Sequence, residues 1–405
     1  MRILLIIFFS LSSFLVFGRT VEGVMTGIEV LRQDGFELLK GKRVGLITNP
    51  TGVDRNLKST VDILFEAPDV QLVALYGPEH GVRGDIPAGE KVENQVDAKT
   101  GLKVHSLYGK TRKPTPEMLQ GIDVLVYDIQ DIGCRSYTFI STMGLVMRAA
   151  KEQNKEVVIL DRPNPLGGEK VEGSGVSQGY FSFVSQFDIP YIYGLTCGEL
   201  ANYLNQEIGC KLTVVPMQGW KRSMRFEDTG LPWVPTSPQI PSTTAAILYP
   251  ATGIIGEMGF LNIGVGYTLP FQVMTAPWVK SVELTEVLNA KQLPGVAFRP
   301  ILYKPLFGDM QGQTVQGVQI FITDYDKARL SEIQFHVIEA MHLLYPSHVL
   351  FSAETEKRNN MFDKVCGTNF IRENFSKQYK TDDILSYWRN NEQAFKEKSA
   401  SFYLY

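Results

Sequence analysis

The sequence predicts an α/β fold in which a doubly wound parallel sheet is followed by a smaller α+β domain. Between about residues 43 and 215, apolar runs rich in β-branched residues alternate with segments of helical period. Such alternation is typical of a parallel sheet that has helices on both faces. Beyond residue 250 the pattern changes to glycine-rich loops, strands around 316–323, an amphipathic helix at 330–345 and a polar helical tail from 382.

Four short apolar segments are predicted to be buried parallel strands, at 43–48, 70–76, 122–127 and 156–160. Each is continuously apolar rather than alternating, as expected of strands that are covered on both faces. Helical period predicts helices between them, at 57–65, 116–120 and 137–153. A further helix is expected to begin at Thr196, because its hydroxyl and the carboxyl of Glu199 have the spacing of a capping box.

The stretch from 216 to 250 contains six prolines and two of the four tryptophans of the chain, and it is predicted to be irregular. Its end marks the expected boundary between an N-terminal domain at 19–250 and a C-terminal domain at 251–405. The chain is long enough for two domains with separate cores.

The first 18 residues are predicted to be a cleaved signal peptide. A basic Arg2 precedes an almost wholly apolar segment at 3–17, and Gly18 supplies a small residue at the cleavage spacing. The apolar segment is too short for a comfortable membrane span, and no later segment approaches the length and apolarity of a membrane helix. We therefore expect a periplasmic or secreted protein.

Composition and charge exclude several classes of partner. Hydrophobic residues make up 44% of the chain and charged residues 20%, and the net charge is −3. No basic stripe or block is present, so neither nucleic acid nor an anionic membrane is expected as a partner. The four cysteines lack metal-type spacing and are expected to be buried free thiols, although a bridge between Cys197 and Cys210 stays open.

Polar loops fixed by proline or glycine follow all four predicted strands. Their sequences are NPTG at 49–52, GPEH at 77–80, DIQDIG at 128–133 and DRPNP at 161–165. Because the carboxyl ends of parallel strands share one edge of a sheet, the loops are expected to converge on one crevice. The charged candidates for this crevice are Glu79, His80, Asp128, Asp131, Arg135, Asp161, Arg162 and Glu172.

Converging carboxyl groups and arginines fit three kinds of chemistry. A glycosidase needs an acid with a raised pKa and a second group that stabilises or attacks the anomeric carbon. Metal-assisted hydrolysis needs several ligands around one ion, and this region has only two histidines and no ligand pair at helical spacing. Binding without catalysis would use the arginines to hold an anionic sugar. No nucleotide-binding motif is present, and we predict no metal and no cofactor.

Each candidate also has a purely structural interpretation. The carboxyl groups of Asp128 and Asp131 could bind turn amides or cap the next helix. Arg135 and Arg162 could form ion pairs with these acids. His80 could pack beneath its turn, and Glu79 could be a solvated loop acid.

The same loops resemble those of a bacterial family once catalogued as a domain of unknown function, the exo-β-N-acetylmuramidases of NamZ type. The resemblance covers nearly all of the chain after the signal peptide. It rests on ordered blocks, among them GKRVGLITNPTG at 41–52, PEHG at 78–81, DIQDIG-x-R-x-YT at 128–138, DRPNP at 161–165, VEG at 171–173, LPFQ at 269–272, APW at 276–278 and FDK at 362–364.

This resemblance implies a Rossmann-like N-terminal domain, a smaller C-terminal domain and an active-site cleft between them. It also implies release of N-acetylmuramic acid from the non-reducing ends of peptidoglycan fragments, with Glu79 as the catalytic acid. Asp128 or Asp131 is expected to be a base, a nucleophile or an orienter of the acetamido group, and Arg135 or Arg162 to hold the lactyl carboxylate. The remaining predicted substrate-binding residues are Asn49, His80, Tyr137, Asp161, Asn164 and Glu172.

The chain departs from the family pattern in the second domain. Val265 occupies a position where the family often has an arginine, and Val315 one where it often has a cysteine. Two other functions remain as alternatives: a periplasmic protein that binds muropeptides or sugars without turnover, and a carbohydrate esterase.

Overall fold

The computed structural model describes residues 23–84, 95–352 and 355–405, so the predicted signal peptide at 1–18 lies outside the described residues. Within the described ranges the N-terminal part of the chain forms one seven-stranded sheet. Its strands are β1 (Arg43–Thr48), β2 (Gln71–Gly77), β3 (Gln95–Val96), β4 (Lys103–Ser106), β5 (Val124–Asp128), β6 (Glu156–Leu160) and β7 (Lys211–Val215).

The strand order is β3-β4-β2-β1-β5-β6-β7, and every pairing is parallel except that of β3 with β4. The order reverses direction between β1 and β5, which is the topological switch point of a doubly wound sheet. The four predicted strands are confirmed. Strands β4 and β7 escaped prediction because β4 is four residues long and β7 alternates between exposed and partly buried positions.

Helices cover both faces of this sheet, as predicted. They are α1 (Gly27–Gln33), α2 (Thr60–Glu66), α3 (Phe139–Glu152) and α4 (Cys197–Ile208). Side chains of α1 and α2 share one core with Val124 and Val126, and those of α3 and α4 share the other with Leu125 and Tyr127. Successive residues of β5 thus alternate between the two cores, which is the side-chain geometry of a strand.

The capping box at the start of α4 is confirmed, since the Thr196 hydroxyl accepts from the amide of Glu199 and the Glu199 carboxylate accepts from the amide of Thr196. The helix predicted at 116–120 is wrong. That segment forms turns, with the amide of Leu119 bonded to Thr115 and Pro116 carbonyls. Five residues offer too few hydrogen bonds to offset the cost of nucleating a helix.

A long helix, α5 (Thr243–Gly256), replaces the end of the segment predicted to be irregular. Pro250 lies inside α5 and misled the prediction, because proline removes one helical donor and disfavours a helix interior. The helix is buried almost all round, and the Gln334 side chain donates to the Pro250 carbonyl at 2.9 Å. The boundary predicted at residue 250 therefore falls within a buried helix rather than in a linker.

The C-terminal part forms a three-stranded antiparallel sheet with helices. Its strands are β8 (Val273–Ala276), β9 (Val296–Tyr303) and β10 (Val315–Ile322), in the order β8-β10-β9. Its helices are α6 (Ser281–Ala290), α7 (Ile333–Leu344), α8 (Glu356–Cys366), α9 (Phe370–Gln378), α10 (Asp382–Trp388) and α11 (Glu392–Ser399). The predicted α/β architecture with a smaller second domain is confirmed.

The cysteines are all free and buried, so the expected bridge-free state is confirmed over the alternative of a Cys197–Cys210 bridge. In the part of the chain that the structure describes, no helix has both the length and the apolar character to span a bilayer.

Candidate active site

The turn after β2 places Glu79 at the carboxyl edge of the large sheet. Pro78 ends the strand, and the amide of Gly81 donates to the Pro78 carbonyl at 3.0 Å to close the turn. His80 adopts a left-handed conformation with φ 73° and is buried, while Glu79 is half-buried. Glu79 is therefore the residue of this turn that reaches solvent, and His80 packs within the fold.

Tyr108 is a partner of Glu79 that comes from a neighbouring strand. It follows β4, which lies beside β2, and the amide of Leu107 bonds the Gly77 carbonyl at 2.8 Å. Burial raises the pKa of Tyr108 to about 12, and a hydrogen bond with the Glu79 side chain adds to the increase. A tyrosine that keeps its proton donates to the carboxylate, so Tyr108 holds Glu79 in position. Sequence reasoning missed Tyr108 because it missed β4.

A second carboxyl group, that of Glu257, responds to the charge of Glu79. Burial by the surrounding protein, followed by the negative charge of Glu79, raises the pKa of Glu257. Glu257 nevertheless keeps an exposed surface. The charge of Glu79 thus acts on the Glu257 carboxyl group, which follows the end of α5.

Asp128 and Arg162 form a buried ion pair at the switch point of the sheet. Arg162 donates from Nε to one carboxylate oxygen of Asp128 and from Nη2 to the other at 2.9 Å, and the Thr60 hydroxyl also donates to Asp128. Arg162 further binds the Val53 carbonyl at 2.8 Å. Each side chain neutralises the other away from solvent, and the catalytic role of Asp128 and substrate binding by Arg162 stay predictions.

Asp131 is buried beneath the site. The Tyr193 hydroxyl and the amide of Gly133 both bind its Oδ2 atom, and its Oδ1 atom has no partner among the described residues. Burial raises the pKa of Asp131 to about 7, against the lowering effect of the Tyr193 hydrogen bond. Asp131 is thus an interior acid in this arrangement, and its catalytic role stays a prediction.

Arg135 joins the two domains and does not face the crevice. Its side chain is 1% exposed, and all five of its N–H groups donate within the protein. The acceptors are the Ser185 hydroxyl at 3.2 Å and the carbonyls of Ser174 at 2.7 Å, Ile189 at 2.6 Å, Val365 at 3.0 Å and Cys366 at 2.9 Å. In this arrangement no donor of Arg135 is left for a substrate carboxylate, and its predicted binding role stays a prediction.

Asp161 anchors both the start of α4 and the end of the chain. It accepts hydrogen bonds from the Thr196 hydroxyl at 2.7 Å, the Gly198 amide at 2.8 Å and the Tyr405 hydroxyl at 2.7 Å. Burial raises the pKa of Asp161 to about 6. Its oxygens are committed to these contacts, and substrate binding by Asp161 stays a prediction.

Asn164 and Glu172 also bind groups of the protein itself, and substrate binding by either residue stays a prediction. The Asn164 amide donates to the Leu195 carbonyl at 2.9 Å and its oxygen accepts from the Leu166 amide at 2.9 Å. Glu172 accepts from the amide and hydroxyl of Ser331 at 2.8 and 2.9 Å, across the domain boundary. Both side chains are buried, and burial raises the pKa of Glu172.

The two remaining candidates differ in exposure. Asn49 is buried, and its side-chain oxygen accepts from the amide of Thr51 at 3.0 Å, so it shapes its own turn. Tyr137 is half-buried, donates to the Thr236 hydroxyl at 2.8 Å and packs edge-on against Tyr249 at 5.7 Å. Glu79 is among the charges that raise the pKa of Tyr137, behind burial and Asp131. Substrate binding by Tyr137 stays a prediction.

A large groove lies elsewhere, between the two domains. It has a volume of about 870 Å³, and Glu172 is the one predicted site residue on its wall. Its contacts with α5 are Thr244, Ile247 and Leu248, which lie on the opposite side of the helix from Glu257. Glu79, the predicted catalytic acid, does not line this groove. No group of three or more metal-binding side chains occurs in the described ranges.

Comparison with the sequences of known proteins shows that the chain is a glycosidase. One family model, described as the N-terminal part of the exo-β-N-acetylmuramidase NamZ, matches residues 44–244, and the model of the C-terminal part matches 247–405. The chain belongs to the exo-β-N-acetylmuramidase NamZ family.

Sequence similarity to known relatives extends along almost the whole chain. The peptidoglycan β-N-acetylmuramidase NamZ of Bacillus subtilis is 46% identical over 384 residues, which cover 94% of this chain and 91% of that protein. A solved structure of a DUF1343 family protein from Bacteroides fragilis is 56% identical, with a TM-score of 0.90 and coverage of 94% and 99% of the two chains. A second such protein from the same organism is 28% identical, with a TM-score of 0.73 and the same coverage of 94% and 99%.

Proposed function

We propose that this chain is an exo-acting glycoside hydrolase that releases N-acetylmuramic acid from the non-reducing ends of peptidoglycan fragments. The observation that carries the proposal is 46% identity to the Bacillus subtilis muramidase across 94% of the chain. The site supports it, because Glu79 presents a half-buried carboxyl group at the carboxyl edge of a parallel sheet, where ligands of such sheets bind.

Glu79 is proposed as the acid of the reaction. In hydrolysis its proton passes to the glycosidic oxygen, the bond from that oxygen to the anomeric carbon breaks, and the oxygen of a water molecule bonds to the carbon. The proton released by that water restores the carboxylic acid. Tyr108 keeps the carboxyl group at the strand end throughout.

Arg112 is proposed to hold the lactyl carboxylate that distinguishes muramic acid from glucosamine. The two arginines predicted for this task are committed within the protein, whereas Arg112 is exposed and its positive charge acts on Tyr108. Its guanidinium lies 4.2 Å over the ring of Phe183, which orients it without using its N–H donors.

A chromogenic N-acetylmuramide and the matching N-acetylglucosaminide test the activity directly. We expect release from the muramide, and a loss of at least about 100-fold in kcat/KM for Glu79→Gln, as removal of a general acid usually causes. Glu286→Gln removes an exposed carboxylate elsewhere in the second domain and serves as the matched control. The glycosidase proposal would be refuted if the unaltered protein released product from neither glycoside. Binding of muropeptides without turnover would refute it too.

Specificity has its own test. Arg112→Met is expected to raise KM for the muramide by about tenfold to 100-fold, since a charge-assisted hydrogen bond contributes about 1.5–3 kcal/mol. The same variant should leave KM for the glucosaminide unchanged. Arg148→Met is the control, because Arg148 is also exposed and lies over an aromatic ring, 5.7 Å from that of Phe187. Equal changes for both glycosides would exclude Arg112 as the carboxylate ligand.

The proposed site of action is the periplasm or the extracellular space. The basic, apolar and small-residue pattern of residues 1–18 supports export, and the proposed substrate is a cell-wall fragment. Fractionation of cells that express the full chain, with mass determination of its N-terminus, tests this. Intact protein that begins at Met1 in the cytoplasm would contradict it.

A further inference from the structure

The groove between the two domains is lined by polar side chains that have no partner within the described ranges. Gln319 of β10 is 9% exposed, yet its amide makes no hydrogen bond to another residue of these ranges. Its polar atoms are not sealed from solvent, so they open into the groove. Gln272 and Thr323 also line the groove without side-chain hydrogen bonds to described residues. Unpartnered polar groups on an enclosed wall indicate a ligand that supplies the missing hydrogen bonds.

Two cations of this groove are positioned by one aromatic ring. The Lys170 ammonium lies 4.7 Å and the Arg225 guanidinium 5.0 Å from the centroid of the Tyr325 ring, so the two charges are no farther apart than the sum of these distances. The Tyr325 hydroxyl donates to the Leu166 carbonyl at 2.8 Å, which fixes the ring. All of these residues line the groove. The ring therefore orients both cations without using their N–H donors.

Both cations keep N–H donors for a ligand. Arg225 is half-buried, and its guanidinium makes no hydrogen bond or ion pair in the part of the chain that the structure describes. The Lys170 ammonium has three N–H groups; it donates to the Ala328 carbonyl at 2.9 Å and lies 3.7 Å from the Glu172 carboxylate. At least one donor of Lys170 and the planar fork of Arg225 are thus available to a carboxylate, which a guanidinium binds through two oxygens.

The other charges of the groove are paired or exposed. Arg222 and Arg329 each form an ion pair with a buried carboxylate of the protein. Glu172 accepts hydrogen bonds from the backbone and hydroxyl of Ser331. The remaining acids on the wall are exposed to solvent, namely Glu169, Asp228 and Asp326. The enclosed donors that stay unused therefore belong to cations, and they fit an anionic ligand.

The walls fit a carboxylate-bearing saccharide better than a peptide. Strand β10 is the central strand of its sheet, so it has no free edge that could pair with a peptide backbone. The unused groups are side-chain amides, a hydroxyl and cations, which match the hydroxyl, acetamido and carboxylate groups of a sugar chain. The volume of about 870 Å³ lies within the range usual for ligand sites.

We propose that this groove is a second, non-catalytic binding site for the glycan of peptidoglycan, in which Lys170 and Arg225 bind a lactyl carboxylate and Gln319 binds a neutral sugar group. The identity of the glycan rests on the proposed function. Neither Glu79 nor Arg112 lines the groove, so it holds the polymer apart from the sugar that is cleaved. Attachment at a second site raises the effective concentration of chain ends at the catalytic acid.

Calorimetric titration with peptide-free glycan strands tests this site. Strands that begin with N-acetylglucosamine offer no terminal muramic acid for cleavage, so their binding reports the groove. Arg225→Met should weaken this binding by about tenfold to 100-fold, as loss of a charge-assisted hydrogen bond does. Arg148→Met is the control, since its guanidinium also lies over a ring, 5.7 Å from that of Phe187, but outside the groove.

Two further ligands identify the chemistry that is bound. Chito-oligosaccharides of equal length lack the lactyl carboxylate, so they should bind more weakly, and Arg225→Met should not alter their affinity. Equal affinity for the two glycans would overturn the proposal. Binding of a free stem peptide that depends on Arg225 would overturn it as well, because the groove would then be a peptide site.

Gln319→Met distinguishes a binding role from a structural one. Because the amide has no partner in the described fold, the variant should match or exceed the thermal midpoint of the unaltered protein. It should bind the glycan strands about twofold to tenfold more weakly, as loss of a neutral hydrogen bond does. Gln316→Met, on the same strand but the opposite face of the sheet, should alter neither quantity. A lower midpoint of Gln319→Met with unchanged binding would refute the assigned role.

Kinetics separate this inference from the proposed function. Arg225→Met should raise the ratio of KM for glycan strands that end in muramic acid to KM for the chromogenic muramide by about tenfold. Equal increases in both KM values would place Arg225 at the catalytic site and overturn the second-site proposal. If muramidase activity is absent while the binding differences are present, the proposed function alone is refuted.

Discussion

Replacing Arg135 by methionine separates a structural role from a substrate-binding role at one position. The variant keeps much of the side-chain volume but removes five N–H donors. Four backbone carbonyls, two from each domain, would lose a donor in the interior. Each buried carbonyl left without a partner costs about 1–3 kcal/mol.

The sum is partly offset, because a buried cation without a carboxylate partner is itself costly, and burial lowers the pKa of Arg135. We expect a net destabilisation of about 3–5 kcal/mol, as for other broken buried charge networks. Since the contacts join the domains, equilibrium unfolding in urea, followed by tryptophan fluorescence and by activity, should show a lower midpoint in both signals.

Kinetics and a control complete the test. Where the folded variant is populated, its KM for the chromogenic muramide should equal that of the unaltered protein. Arg299→Met removes an exposed arginine of β9 and should change neither the midpoint nor KM. An Arg135→Met variant with normal stability and a KM raised tenfold would show that Arg135 binds substrate and that the structural interpretation is wrong.

Three further predictions concern the fold around the site. Burial raises the pKa of Asp131 to about 7, so the protein loses the stabilising protonated carboxyl as the pH rises from 4 to 8. Over that range the free energy of unfolding of Asp131→Asn should therefore rise by up to about 4 kcal/mol relative to that of the unaltered protein. Parallel dependence of the two unfolding free energies on pH would contradict this. Glu172→Ala should destabilise by about 2 kcal/mol in urea unfolding by freeing the Ser331 donors, and an unchanged midpoint would exclude the contact. Gly133→Ala should lower the thermal midpoint more than Gly35→Ala does. Both glycines have positive φ, but only at Gly133 would a Cβ come within 2.3 Å of a side-chain atom, Oδ1 of Asn164. Equal losses in thermal midpoint would contradict the steric argument.

Much of the N-terminal architecture could be predicted because a buried parallel strand has a distinctive sequence. Strands β1, β2, β5 and β6 are continuous apolar runs that end in proline or glycine, and their convergence follows from parallel pairing. Where that signal weakened, prediction failed. Strand β4 is short and contains Lys103 and His105, so Tyr108 was missed with it.

Glu257 was missed for a different reason. It follows α5, which is apolar on all sides and therefore shows no amphipathic period. Pro250 within α5 further argued against a helix in the sequence. Glu79, whose charge acts on Glu257, is 178 positions earlier in the chain, and nothing local relates the two. Only the docking of α5 against the large sheet lets them interact.

By itself, the sequence determined the class of fold, the set of loops at the carboxyl edge of the sheet and the place of Glu79 among them. The tertiary structure decided which of those polar residues remain available to a substrate. Asp128, Arg135 and Asp161 carry the same charges in either view, but the elements packed over them supply partners for their polar atoms. Availability depends on burial and on the completeness of hydrogen bonding, and both are set by residues distant in the chain.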